Sequence, residues 1–187
     1  MKVIGLTGTI GAGKSTIKSL LLKRIDCYYV TLSDIIRAEV ERRKGTLDRK
    51  TLQDMGNELR VKYGNHILAQ LAVDYLPKEK KFIVIDGIRN PGEIEYLKKR
   101  FGNDFKLIAV DAPPRIRFER LNKLEGGKYP KSWDEFLSLD ERDQGKDEPE
   151  YGQQVKKCIE KADFLIINDG DEKQLEEKLD SILNALS

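Results

Sequence analysis

The chain has 187 residues, a length that suits one domain, 1–187, with a filled core. Charged residues make up 35% of it, yet 34 basic residues stand against 32 acidic ones and the formal net charge is only +2. That balance argues against an electrostatic nucleic-acid binder, and no apolar run approaches the roughly 20 residues of a membrane span.

Cys27 and Cys158 lie far apart and match no metal spacing, so they read as reduced thiols. Met1 sits almost at the first strand, leaving no room for a signal peptide, and a cytoplasmic location is expected. His66 is the only histidine, with no Cys or His company, and reads as a surface or packing residue.

In chain order, the apolar run Val3-Ile4-Gly5-Leu6 reads as a strand and Thr16 to Leu22 as a helix. Between them stands Gly8-Thr9-Ile10-Gly11-Ala12-Gly13-Lys14-Ser15, with the spacing and the strand–turn–helix context of a phosphate-binding loop. Glycines let consecutive backbone N–H groups curl around an anion with no Cβ in the way. The helix start that follows, at Thr16, adds unsatisfied donors and the positive end of its dipole. Lys14 is expected to reach the β- and γ-phosphates, and Ser15 to ligate Mg²⁺. A nucleoside triphosphate is the ligand this stretch implies.

Cys27 to Leu32 has the β-branched and aromatic content of a second strand. Ser33-Asp34 opens a helix that Gly45 breaks. Asp48 opens a second one, with Leu52, Met55 and Leu59 at helical spacing, and a third runs from Asn65 to about Tyr75. That is more than a crossover needs, so residues 34–76 read as an acceptor-binding insertion. Lys81 to Asp86 is the third strand, apolar enough to be buried on both faces of a parallel sheet. Pro91 stands near the start of the next helix, Phe105 to Val110 forms the fourth strand, and Pro113-Pro114 begins another helix. From about 122 to 152 glycines, prolines and charges dominate, with a short helix around Trp133 to Leu139; a polar connection of this length reads as a lid. Phe164 to Asn168 is the fifth strand and Asp171 to Leu186 the closing helix. Alternating strands and helices imply an α/β fold: a five-stranded parallel sheet with helices on both faces.

Asp86 ends the third strand at the carboxyl edge, where open α/β sheets bind ligands, and is expected to hold the Mg²⁺ hydration shell. Asp86-Gly87-Ile88-Arg89 resembles the Asp-Gly-x-x-Arg type signature of P-loop nucleoside monophosphate kinases, one residue shorter. Ser33-Asp34-Ile35-Ile36-Arg37 is similar to their acceptor-phosphate segment. Arg117, Arg120 and the stretch with Arg142 resemble their helix and arginine-bearing lid. The resemblance spans nearly the whole chain and extends to dephospho-coenzyme A kinases and to archaeal nucleotide-kinase-like proteins. Its glycine and lid spacings depart from adenylate kinase, whose substrate is not carried over.

The resemblance implies an ATP- and Mg²⁺-dependent kinase acting on a nucleoside or deoxynucleoside monophosphate, as a monomer or homodimer. Arg37, Arg60 and Arg89 fall on the acceptor side of the order, and Arg117, Arg120 and Arg142 on the donor and lid side. Guanidinium forks bind phosphate oxygens bidentately and keep their charge, which suits both sides. Asp34 can be a base for a hydroxyl acceptor, a binding group or a helix cap. Transfer to a hydroxyl, as in dephospho-coenzyme A kinases, is therefore the nearest rival reading. A regulatory NTPase acting on a protein partner is a rival of another class, and a nucleic-acid end kinase is disfavoured by the balanced charge.

Overall fold

The apolar runs assemble into one sheet in the computed structural model, which describes residues 1–77, 79–124 and 130–186. Strands β1 (Lys2–Gly8), β2 (Cys27–Thr31), β3 (Phe82–Asp86), β4 (Phe105–Asp111) and β5 (Phe164–Ile167) are arranged in the order β2-β3-β1-β4-β5. Every pairing is parallel, and β1 lies at the centre, bonded to β3 on one side and β4 on the other. Alternate side chains point to opposite faces. Val3, Ile83, Ile85 and Leu107 enter one core, while Ile4, Leu6, Val84 and Ile108 enter the other. Burial on both faces is why these strands read as continuous apolar runs.

Helices α1 (Lys14–Arg24) and α9 (Glu172–Leu186) close one face through Ile17, Leu21, Leu175 and Leu179. The other face is covered by α2 (Leu32–Arg42), α3 (Arg49–Tyr63), α4 (Ile67–Asp74), α5 (Pro91–Phe101) and α8 (Val155–Glu160). Helices α6 (Pro114–Asn122) and α7 (Trp133–Gln144) lie between β4 and β5 in the chain. Local chemistry sets the helix starts. Asp48 caps α3 by accepting from the Thr51 N–H, and Asn90 with Glu93 forms a capping box ahead of Pro91 in α5.

Two elements differ from the sequence expectation. Helix α7 runs on to Gln144, because Ser132 caps its start and the charges of its second half, Asp140 and Asp143, are buried rather than solvated. Gly145, with φ 95°, ends it in the left-handed conformation. Helix α8 went unread: six residues carry too little periodicity to register. Of the expected lid, residues 125–129 lie outside the described residues. Among the described residues no helix is long and apolar enough to cross a membrane.

Candidate active site

The loop between β1 and α1 is fixed by contacts that only glycine permits. At Gly8, with φ 146°, a Cβ would fall 2.0 Å from the Val110 carbonyl oxygen of the neighbouring strand. At Gly13, with φ 100°, it would fall 2.4 Å from Asn168 Nδ2. Asn168 braces the loop from the end of β5, its Nδ2 donating to the Ala12 carbonyl at 2.8 Å. The Thr9 hydroxyl donates to Asp111 Oδ1 at 2.6 Å, tying the loop to β4. Lys14 Nζ donates to the carbonyls of Gly8 (2.7 Å) and Thr9 (3.0 Å), so its ammonium lies across the loop. Gly8, Ile10, Gly11, Ala12, Gly13, Lys14 and Ser15 wall a cavity of about 330 Å³; Thr9 and Thr16 stand outside its wall.

Asp86 enters the same cavity from β3, whose register sets it beside Leu6 of β1. Its carboxylate is held on both oxygens: the Tyr29 hydroxyl donates to Oδ2 at 2.7 Å and the Gly87 N–H to Oδ1 at 2.6 Å. Burial first, and the Asp86 charge second, push the Tyr29 phenol above its usual range, so Tyr29 stays a donor. Lys18 lies over the Tyr29 ring at 4.5 Å and also lines the cavity. The Ser15 hydroxyl and the Asp86 carboxylate are hard oxygen donors, and the described residues contain no cluster of three or more His, Cys, Asp or Glu able to hold a metal unaided. One or two protein oxygens completed by substrate phosphates is the way Mg²⁺ is usually bound, so the residues present fit that ion.

A second cavity, of about 850 Å³, opens between α2, α3 and the end of β3. Arg37, Arg60 and Arg89 meet on its wall, with Leu32, Ile36, Leu52 and Leu68 supplying apolar surface. Arg89 lines both cavities. Its backbone N–H donates to Glu93 Oε2 at 2.8 Å and its Nη1 to Gln153 Oε1 at 2.9 Å, so it is aimed by α5 and by the segment before α8. Arg60 faces Glu93 in a buried ion pair, Nη2 to Oε1 at 2.8 Å, with both side chains at most 2% exposed. Through Glu93 it steadies Arg89 as well as lining the cavity. Asp34 is 64% exposed, 3.0 Å from Arg37, and outside the cavity wall. An exposed pair of this kind contributes about 0–1 kcal/mol, so Arg37 is free to turn toward an anion.

The donor-side arginines are placed differently from expectation. Arg117 is buried at 2% exposure, with its guanidinium committed to Asp140, to the Ala112 carbonyl (2.8 Å) and to the Ile10 carbonyl (3.2 Å). It fastens the phosphate loop to α6 and α7 and lines neither of these two cavities. Arg120 Nη1 donates to the Asn168 carbonyl at 2.9 Å, bracing the same loop from outside. Arg142 bonds Glu148 at 2.9 Å and lies 3.5 Å from Asp54 of α3, so it links the predicted lid to the predicted insertion.

Sequence reasoning missed Asp143, Gln53 and Asn168. Asp143 lines the phosphate-loop cavity, accepts from Gln53 Nε2 at 2.9 Å and lies 3.8 Å from Arg89 Nη1. It falls in the stretch from about 122 to 152 that charges dominate, and its place on the buried side of α7 was the signal that could have singled it out. Asn168 stands at a strand end before Asp169-Gly170, where a polar side chain often turns inward. A third cavity, of about 810 Å³ between α5 and α8, holds none of the predicted residues and carries exposed lysines on its rim. The chemistry, rather than the size, makes the first two the candidate site.

A family model described as an AAA domain matches residues 4–138. The chain is 35% identical to a UPF0200/UPF0201 protein of Archaeoglobus fulgidus, covering 100% of this chain and 56% of that protein, so it spans about half the length of that relative. It is 30% identical to UPF0200 proteins of Methanocaldococcus jannaschii, covering 100% of this chain and 91% of the relative, and of Pyrococcus abyssi, covering 98% and 96%. Among solved structures it resembles TT1252 from Thermus thermophilus, with TM-score 0.66 and 21% identity over 100% of this chain and 98% of the other. It also resembles the shikimate kinase of Aquifex aeolicus, with TM-score 0.56 and 17% identity over 98% and 96%. Those two likenesses speak for the fold. With its phosphate loop, parallel sheet and relatives, the chain has a P-loop kinase-like fold and belongs to the AAA-domain family of that model and to the UPF0200 proteins.

Proposed function

We propose that the protein is an ATP- and Mg²⁺-dependent kinase that transfers the γ-phosphoryl group to an anionic small molecule. The observation that carries this reading is Arg89, which lines the phosphate-loop cavity and the neighbouring arginine-bearing cavity together. A guanidinium at that boundary can hold the transferring group and the acceptor in line, which is most of what phosphoryl transfer asks of a protein. The amides of the loop and Lys14 would hold the β- and γ-phosphates. Ser15 and Asp86 would hold the magnesium ion, which supplies charge neutralisation between the phosphates when bound. Tyr29 keeps Asp86 oriented through its hydrogen bond.

In this reading residues 34–76 form the acceptor side, with Arg37, Arg60 and Arg89 facing the acceptor's anionic group, and residues 122–152 form the lid. Closure of a lid excludes water, which would otherwise compete as acceptor. Arg117 and Arg120 serve by bracing the loop, and Arg142 by linking lid to insertion. The resemblance to nucleoside monophosphate kinases makes a nucleoside or deoxynucleoside monophosphate the first acceptor to try.

A coupled ADP-release screen over nucleoside monophosphates, nucleosides and dephospho-coenzyme A tests the proposal, with Lys14→Ala as control. ADP release stimulated by one acceptor class, and lowered by about 10²–10³-fold in the control, is the expected result. Activity undiminished in Lys14→Ala would sink the reading.

A further inference from the structure

We propose that Asp143 is the general base of the reaction, and that the acceptor attacks through a hydroxyl rather than a phosphate oxygen. The inference rests on the kinase reading above and names the oxygen that is phosphorylated. Asp143 lies on α7 and is 3% exposed. It lines the phosphate-loop cavity, and its Oδ1 accepts from Gln53, a wall residue of the acceptor cavity, at 2.9 Å. Its Oδ2 lies 3.8 Å from Nη1 of Arg89, which lines both cavities. The carboxylate therefore stands at the boundary that the attacking oxygen must cross. The other charged groups on the phosphate-loop cavity are Lys14, Lys18 and Asp86.

The charge at this boundary discriminates between the two acceptor chemistries. A monophosphate oxygen is already ionised, needs cations beside it and gains nothing from a base; a buried carboxylate there repels it. A hydroxyl must lose its proton as it attacks, and a carboxylate within reach accelerates that step. Asp34, which the sequence left open as a base, a binding group or a helix cap, is 64% exposed and lines neither cavity, whereas Asp143 lines the phosphate-loop cavity. In the step itself Asp143 takes the hydroxyl proton as the acceptor oxygen's electron pair forms the new O–P bond. The bond from the γ-phosphorus to the bridging oxygen breaks, and its electron pair leaves with ADP. The proton passes from Asp143 to solvent when product departs. With Arg37 and an apolar wall in the same cavity, the acceptor class is a hydroxyl-bearing small molecule whose anionic group lies away from the reacting hydroxyl.

The test is an ADP-release panel of hydroxyl acceptors (nucleosides, dephospho-coenzyme A, hydroxy acids) against nucleoside monophosphates, with the product identified by phosphorus NMR. A phosphate ester as product is expected. Asp143→Asn is expected to lower kcat by about 10²–10⁴-fold. The loss should appear in kcat rather than in the KM for the acceptor. A phosphoanhydride product, or an Asp143→Asn variant with wild-type kcat, overturns the proposal and leaves the kinase reading standing. If Asp143→Asn does not fold, the identity of the wild-type product decides alone. ADP release that no acceptor stimulates overturns the kinase reading and this proposal together.

Discussion

Burial divides the arginines of this chain into two kinds. Arg117 and Arg60 each face a buried carboxylate, Asp140 and Glu93, and hold the walls of the site in place. Arg89 and Arg37, about a third and a half exposed, keep their reach. Removing one partner of a buried pair strands the other charge, so Arg117→Ala should lower stability by about 3–5 kcal/mol, measured by urea denaturation. A loss under 1 kcal/mol would mean that Asp140 finds water or another partner. Lys14→Ala should behave oppositely, keeping the fold and lowering kcat by about 10²–10³-fold, the usual cost of one electrostatic donor at developing charge. The phosphate loop was legible in the sequence because its chemistry demands residue types in order. The division among the arginines was not, because burial depends on what folds over a side chain: Arg117 and Arg120 looked alike, yet Arg117 bonds the loop at Ile10 while Arg120 bonds Asn168 behind it. Asp143 was hidden for the same reason.

At the scale of elements, the aim of Arg89 depends on how α5 begins. Asn90 caps that helix, and its Nδ2 donates to the carbonyls of Glu150 and Gly152, both at 2.9 Å. One residue thus fixes a helix start and the segment that carries Gln153, the partner of Arg89. Asn90→Ala removes the cap, worth about 1 kcal/mol, and leaves carbonyls short of a donor at about 1–3 kcal/mol. A combined loss of about 2–4 kcal/mol is expected, together with faster hydrogen exchange at 150–154. Unchanged exchange in that segment would show that it is held elsewhere. Capping signals of this kind were partly visible, as Pro91 near a helix start and Asp48 at another. The end of α7 and the whole of α8 were not, because each is stabilised by packing rather than by periodicity.

For the whole molecule, the order β2-β3-β1-β4-β5 gathers Gly8, which opens the phosphate loop, with Asp86 and Asp111 at the carboxyl ends of three neighbouring parallel strands. The alternation of strands and helices announced that architecture; the order of strands follows from long-range pairing and had to be seen. The same dense core sets a pH response. Burial pushes the Cys158 thiol above its usual 9.0 and the Tyr29 phenol above its usual 10.0, so the folded chain keeps protons that the unfolded chain releases. Stability is fully present below about pH 9 and falls as pH rises beyond it. Denaturation from pH 7.5 to 10.5 should show that decline, and Cys158→Ala should make it shallower by up to about 1.4 kcal/mol per pH unit. A flat profile would contradict the burial of both groups.

The central claim is that two adjacent cavities sharing Arg89 join ATP to a small acceptor. Its most direct measurement is stoichiometry: moles of phosphorylated acceptor per mole of ADP formed, at saturating acceptor. The account predicts a ratio near one, with ADP formation falling to a small residue when the acceptor is left out. ADP formed at the same rate with and without every small acceptor, or stimulated only by a protein, would contradict it.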